Sequence, residues 1–331
     1  MKKIGVIGAG SWGTALAITL SAKGHQVKIW DLDKPLLEDM EKSRENTKYL
    51  KGILLGENLH IVKTMQEALD GVEIAVFSVP AQHFRNALTG AKPFLKEDMI
   101  VVNVAKGIEQ KTLFRLSQIA EEIMPGLKYA VLSGPSHAEE VGLGLPTTVA
   151  VASKDEDVSH KVQSTFITNR FRVYTGGDVT GVELGGSLKN IIALGAGISD
   201  GVGFGDNAKA ALMTRGLAEI TRLGVALGAE APTFAGLTGV GDLIVTCTSM
   251  HSRNRRCGIM IGQGMDPSAA KAKVGMVVEG MFTAEAAYAL AKKAGVEMPI
   301  TEQIYKVIQG KITARDAVEI LMGRDKKHEQ E

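Results

Sequence analysis

Lys189 stands alone in an apolar stretch, the only ionisable residue between Glu183 and Asp200. Read as a helix, its neighbours three and four positions away are Gly185, Gly186, Ile192 and Ala193. A helix so small and apolar packs closely, which would bury the ammonium in part. Burial lowers a lysine pKa and leaves an amine able to accept a proton. The other reading is a lysine snorkelling to the surface, and the helix alone allows both. Lys106 stands among Val104, Ala105, Gly107 and Ile108, directly after an apolar run; it is either a solvated loop charge or a group facing a ligand. Asp242 and Thr246 are four residues apart, the spacing that shares one helix face, although an aspartate flanked by glycines also serves as an ordinary cap. Ser252-Arg253-Asn254-Arg255-Arg256 offers a capping serine, guanidinium forks and an amide, a set suited to phosphate. Three arginines in five residues also describe a solvated face.

A second constellation lies at the start of the chain. Gly8-Ala9-Gly10-Ser11-Trp12-Gly13 falls between an expected strand, Ile4–Ile7, and an expected helix, Thr14–Ser21. Such a turn aims backbone N–H groups and a helix N-terminus at a pyrophosphate. Gly8 permits the tight turn, Gly10 the approach of phosphate, and Gly13 the packing of helix on strand. A further strand, Val27–Trp30, ends at Asp31, close to the distance of about 20 residues at which a ribose-binding carboxylate is expected. Asp31 would accept from the adenosine ribose of NAD and repel the 2′-phosphate of NADP. No arginine lies within Val27–Leu37 to clamp that phosphate, and Lys34 is the nearest cation. NAD is therefore expected over NADP. The competing reading of Asp31 is a cap on the following turn.

The elements that must position these groups divide the chain in two. Strands are expected at Ile4–Ile7, Val27–Trp30, Ile74–Ser78, Ile100–Val104, Tyr129–Leu132, Thr147–Ala152 and Phe171–Tyr174, alternating with helical segments. Continuous apolar runs such as Ile74–Phe77 fit strands buried on both faces of a mostly parallel, doubly wound sheet. Ligands of such sheets bind beyond the carboxyl ends of the strands. Ser78-Val79-Pro80, Lys106-Gly107 and Gly134-Pro135-Ser136 all fall there, with Ser136 expected to cap a helix starting near His137. After Gly181 helices take over: Val182–Ser199, Ala208–Leu227, Thr283–Ala294, Thr301–Ile308 and Thr313–Met322. Pro267 at a first helical position and Thr313 paired with Asp316 mark starts, and Gly295, Gly310 and Gly323 mark stops. Val277-Val278-Glu279-Gly280 interrupts an apolar stretch. The division is thus an α/β dinucleotide-binding, Rossmann-like domain over 1–181 and an all-α domain over 182–331.

Composition narrows the function. The 331 residues carry a net charge of +1, with 45% hydrophobic and 5% aromatic content. No field of one sign favours nucleic acid or an anionic membrane, and aromatic platforms for bases are scarce. Cys247 and Cys257 form no CxxC pair, so reduced thiols in the cytosol are expected. The seven histidines show no metal-ligand spacing, and no metal is expected. Met1-Lys2-Lys3 followed by Ile4–Leu20 has the outline of a signal peptide, but cleavage near Ala22 would remove the phosphate turn, so a structural role is expected. No apolar run elsewhere reaches the about 18 residues of a membrane span.

In combination and order, Gly8–Gly13, Val104–Gly107, Ser133–Ala138, Gly181–Gly197, Gly239–Thr246, Ser252–Arg256 and Val277–Gly280 resemble NAD(P)-dependent glycerol-3-phosphate dehydrogenases of the soluble bacterial type. The resemblance runs from Lys3 to about Met322. It implies interconversion of sn-glycerol 3-phosphate and dihydroxyacetone phosphate with NAD or NADP, supplying glycerol 3-phosphate for phospholipid synthesis. It implies a helical second domain of the 6-phosphogluconate dehydrogenase type, a cytoplasmic homodimer, and a small phosphorylated substrate as the partner. Lys189 would be the proton acceptor and donor, and Lys106 and Asp242 would polarise and align the reacting oxygen. Lys106, Gly134, Ser136, Lys189, Asn190, Asp242, Thr246, Ser252, Arg253 and Asn254 would form the substrate site. Ser11, Trp12, Pro80, Lys106, Ala138, Arg253, Val277 and Glu279 would join the glycine turn and Asp31 in holding the cofactor. Another two-domain hydroxy acid dehydrogenase, a ketopantoate-type reductase or a dinucleotide-sensing binding protein shares parts of this pattern.

Overall fold

The structure is a computed structural model that describes residues 1–326, 328 and 329. Ten strands precede Gly177: β1 (Lys3–Ile7), β2 (Gln26–Trp30), β3 (Glu45–Asn46), β4 (Leu50–Leu54), β5 (Leu59–Ile61), β6 (Ile74–Phe77), β7 (Ile100–Asn103), β8 (Lys128–Ser133), β9 (Thr147–Ala152) and β10 (Phe171–Gly176). Eight form one sheet in the order β10-β9-β8-β7-β6-β1-β2-β5, and β3 with β4 makes a separate hairpin. Neighbours in the large sheet are parallel except β8 and β9, which are antiparallel. Successive side chains of a strand face opposite ways, so the continuous apolar runs feed two cores. Ile4, Val6, Val76 and Val102 pack on one face with Leu16 and Leu20. Ile7, Phe77 and Val101 pack on the other with Phe84 and Ile119.

Sheet order reverses direction at β1, with β2 on one side and β6 on the other, so the carboxyl ends of these strands open a crevice at the switch point. Chain segments leaving β1, β6, β7 and β8 there carry Gly8, Pro80, Lys106 and Gly134. All seven expected strands are present within a residue or two. The helix after the phosphate turn begins earlier than expected, at Ser11, and runs to Ala22. The strand β5 and the β3–β4 hairpin follow patterns too short or too polar to stand out in sequence.

From Val179 onward every regular element among the described residues is helical. The switch comes slightly before Gly181: Asp178 caps the first helix, Val179–Val202, by accepting the Gly181 N–H at 2.7 Å. That helix runs through the middle of the second core, buried from Gly181 to Ser199. Arg253–Gly262 crosses it so closely that a Cβ on Gly258 would lie 2.1 Å from the Leu194 carbonyl oxygen, and one on Gly197 2.1 Å from that of Arg255. Thr313 and Asp316 form the expected capping box, and Asp266 caps a helix with Pro267 in its first turn. Gly295 and Gly310 end their helices at φ +67°. Gly323 departs from expectation: it ends its helix at φ −83° without the left-handed turn.

Candidate active site

Three segments bring the lysines and Asp242 together. The Val179–Val202 helix places Gly185 one turn before Lys189, where a Cβ would sit 2.6 Å from the Thr238 carbonyl oxygen. The absence of that Cβ lets the π-helical turn Leu237–Gly241 lie against the helix and deliver Asp242 at its end. Gly186 does the same for the first domain: a Cβ there would meet Ser133 Oγ at 2.6 Å and the Lys106 side chain at 3.6 Å. The glycine pair thus admits two approaching segments, and Lys189 emerges between them.

The resulting cluster is tightly bonded. Lys189 Nζ donates to Asp242 Oδ1 and to Thr246 Oγ1, each at 2.5 Å. Lys106 Nζ donates to Asp242 Oδ2 at 2.6 Å and to the Gly134 carbonyl at 3.0 Å. Lys189 is 5% exposed and Asp242 1%, so the snorkelling reading of Lys189 is excluded. Burial pulls the Lys189 pKa down to about 8, Asp242 pulls it up, and the charge of Lys106 adds to the lowering. Burial pushes the Asp242 carboxyl up, but the two lysines more than offset this and hold it below its ordinary value. Asp242 and Thr246 do share a helix face, in Asp242–Thr248.

A short link joins this cluster to the arginine motif. Ser252 caps the Arg253–Gly262 helix through the Arg255 N–H, as expected. The three arginines then part. Arg255 is paired with Asp200 and bonds the Thr248 carbonyl, and Arg256 is half-buried away from the cleft. Arg253 faces the cleft with no hydrogen bond or ion pair among the described residues. Asn254 Nδ2 donates to Asn190 Oδ1 at 3.0 Å, and its Oδ1 accepts the Gly280 N–H at 2.8 Å. These bonds tie the neighbours of Lys189, Arg253 and Glu279 to one another.

The cleft between sheet edge and helices has a volume of about 1300 Å³, larger than the about 300–1000 Å³ of a pocket for one small ligand. Of the sequence candidates, Gly8, Gly10, Ser11, Trp12, Asp31, Pro80, Lys106, Ser136, Ala138, Lys189, Asn190, Ser252, Arg253, Asn254, Val277 and Glu279 line it. Gly13, Gly134, Asp242 and Thr246 lie behind its wall. Gly13 packs its turn, since a Cβ there would be 2.0 Å from the Gly8 carbonyl oxygen. Gly134, Asp242 and Thr246 hold the two lysines. Ser136 does not cap the next helix: His137 occupies the cap position of Ala138–Gly142, and Ser136 Oγ instead donates to the Gly134 carbonyl at 2.9 Å. Tyr49, Met65, His83, His137 and His251 also line the cleft and were not among the expected contacts. His137 lies within Ser133–Ala138 and His251 directly before Ser252–Arg256, whereas Tyr49 comes from the unforeseen β3–β4 hairpin.

The residues present fit a dinucleotide. Gly8 adopts φ +104°, a conformation for which glycine is suited, and the helix starting at Ser11 presents its free N–H groups to the cleft. Among the described residues, a Cβ on Gly10 would meet no atom within 4 Å, leaving room for phosphate. Trp12 Nε1 and Glu279 Oε2 are buried polar atoms without a partner among the described residues, and groups of this kind call for a ligand or water. Glu279 Oε1 accepts the Ala81 N–H at 3.1 Å, joining the two domains, and burial raises its carboxyl pKa. Asp31 lines the cleft but also caps: its Oδ2 accepts the Ala9 N–H at 2.7 Å and its Oδ1 the Asp33 N–H at 3.0 Å.

A phosphate-cradling βα turn facing a buried lysine–aspartate cluster across one cleft is the plan of a two-domain, nicotinamide-dependent dehydrogenase. Comparison with known proteins narrows this. The family profiles for the N-terminus and C-terminus of NAD-dependent glycerol-3-phosphate dehydrogenase match residues 3–159 and 178–319. A glycerol-3-phosphate dehydrogenase [NAD(P)+] of Clostridium perfringens is 51% identical over 330 residues, covering 100% of both chains. One from Pelotomaculum thermopropionicum is 53% identical over 332 residues, covering 99% of this chain and 95% of the relative. A crystal structure of glycerol-3-phosphate dehydrogenase from Coxiella burnetii superposes with a TM-score of 0.95 at 37% identity, covering 98% of this chain and 99% of that one. The chain belongs to the NAD-dependent glycerol-3-phosphate dehydrogenase family.

Proposed function

We propose that this protein interconverts sn-glycerol 3-phosphate and dihydroxyacetone phosphate with NAD(P), with Lys189 as the proton-transfer group. The observation that carries the reading is the Lys189–Asp242–Lys106 cluster at the floor of a cleft whose wall holds an unpaired Arg253. When bound, the cofactor supplies or receives the hydride at C2. In reduction the Lys189 ammonium donates its proton to the C2 oxygen as that oxygen gains charge; in oxidation the neutral amine takes the hydroxyl proton. Asp242 and Thr246 aim Nζ, and Lys106 lends positive charge beside the same oxygen. Arg253 binds the phosphate and so orients the three-carbon chain. Gly134, Ser136, Asn190, Ser252 and Asn254 complete the substrate site. Gly8, Gly10, Ser11, Trp12, Gly13, Asp31, Pro80, Ala138, Val277 and Glu279, with Lys106 and Arg253, serve the cofactor. The α/β part ahead of Asp178 acts as the dinucleotide-binding unit and the helices from Val179 onward as the catalytic one. A cytoplasmic homodimer feeding phospholipid synthesis is part of the same proposal and rests on the family alone.

The preference for NAD over NADP has support beyond Asp31. Asp33, two residues further on, adds a second carboxylate near Asp31 and holds Lys48 at 2.7 Å, so that cation is engaged. Loss of NADH absorbance on adding dihydroxyacetone phosphate, with none on adding ketopantoate, tests the reaction. Turnover of ketopantoate alone would contradict it, and light scattering tests the dimer.

A further inference from the structure

We propose that His251 is a further substrate-binding residue, donating a hydrogen bond to the substrate phosphate, and that His137 positions it from the opposite domain. The inference rests on the reaction proposed above. His251 immediately precedes the Ser252 cap and the unpaired Arg253, and it lines the cleft with them. It is exposed, and its imidazole has no hydrogen-bond partner among the described residues. Its backbone, in contrast, is fixed: the His251 N–H donates to Ser249 Oγ at 3.1 Å, and the Ser252 N–H to the Ser249 carbonyl at 3.3 Å. A rigid turn therefore presents a free imidazole at the mouth of the site.

The ring itself is held by a neighbour from the first domain. The His137 and His251 ring centroids lie 5.6 Å apart at 49°, within the range of attractive ring contacts. His137 is anchored across the cleft, with Nε2 3.4 Å from the Val245 carbonyl oxygen. That carbonyl can only accept, so Nε2 carries the proton. Val245 lies next to Thr246, which holds Lys189. The histidine pair thus joins the helix that holds Lys189 through Thr246 to the turn that leads into Arg253. A phosphate seated at Arg253 and at the start of the Arg253–Gly262 helix would have the His251 ring at its side, and either tautomer of His251 offers it one N–H.

The test is steady-state kinetics on the intact enzyme, with His251→Ala, His251→Gln and His137→Phe. Turnover of dihydroxyacetone phosphate by the unsubstituted enzyme checks the underlying reaction; the variants check the histidines alone. His251→Ala is expected to raise KM for dihydroxyacetone phosphate about tenfold or more, the loss of one hydrogen bond to a charged group, with kcat within about twofold and the Kd for NADH unchanged. His251→Gln, which keeps an N–H donor, should recover most of the loss. His137→Phe, which keeps a ring but loses the anchor to Val245, should raise the same KM to a smaller extent. An unchanged KM in His251→Ala, a parallel rise in the Kd for NADH, or no recovery in His251→Gln would each overturn the assignment.

Discussion

Lys189 and Lys106 come from different domains yet bond opposite oxygens of one carboxylate, at 2.5 Å to Asp242 Oδ1 and 2.6 Å to Oδ2. With both lysines protonated the buried cluster carries one net positive charge. Release of a proton from Lys189 makes it neutral. Burial disfavours the charged state, which is why Lys189 comes down to about 8, close to the pH at which proton transfer is most effective.

The direction of the pH dependence follows. Oxidation of glycerol 3-phosphate needs the neutral amine, so its kcat should rise with pH and level off above about 8. Reduction needs the ammonium, so its kcat should fall over the same range. Removing a positive neighbour lets Lys189 keep its proton, so Lys106→Met should move both midpoints to higher pH. Asp242→Asn removes the stabilising anion and should move them lower. Profiles recorded from pH 6 to 10 decide this, and midpoints unmoved in both variants would detach them from Lys189.

Arg253→Ala should damage use of phosphorylated substrate selectively. A hydrogen bond to a charged group contributes about 1.5–3 kcal/mol, so kcat/KM for dihydroxyacetone phosphate should fall about tenfold or more. The comparison is with unphosphorylated dihydroxyacetone. Equal losses on both would assign Arg253 to the cofactor or the fold.

NADH should be used about tenfold better than NADPH in kcat/KM, a difference of about 1.4 kcal/mol. Asp33→Asn keeps an N-cap side chain for the Leu36 N–H but releases Lys48, and should improve NADPH use severalfold. Asp31→Ala removes the acceptor of the Ala9 and Asp33 N–H groups and should weaken both cofactors. Equal efficiency of NADH and NADPH in the unsubstituted enzyme would refute this view of the adenosine end.

Much of this site was legible in the sequence because local chemistry specified it. Glycine spacing, the Ser252 cap and the isolation of Lys189 each mark a residue without knowledge of its neighbours. The pairing of Asp242 with both lysines was not legible. It depends on long-range packing, where Gly185 and Gly186 admit the Thr238 turn and the Ser133 strand end. The sequence context of Ser136 suits a cap, but the bend of the chain places His137 there. The parting of Arg253 from Arg255 likewise follows from Asp200, which lies 55 residues from Arg255 and captures its guanidinium.

The crossing of Val179–Val202 with Arg253–Gly262 sets the distance between Lys189 and Arg253. Gly258→Ala would press a methyl to within 2.1 Å of the Leu194 carbonyl oxygen, where backbone cannot yield cheaply. Overpacking of this kind costs about 1–3 kcal/mol. Urea denaturation should show that loss, together with a raised KM for dihydroxyacetone phosphate. Unchanged stability would mean that the helices slide apart freely.

Single-turnover kinetics of Lys189→Met bears most directly on proton transfer by Lys189. Methionine fills similar space without a titratable group. The rate of NADH oxidation by dihydroxyacetone phosphate should fall at least about 100-fold, the loss typical of a general acid. NADH titrated by fluorescence should still bind with nearly unchanged Kd, since Lys189 contributes chemistry and not the cofactor's grip. A rate within a few fold of the unsubstituted enzyme, with NADH bound normally, would contradict the assignment of Lys189 as the proton-transfer group.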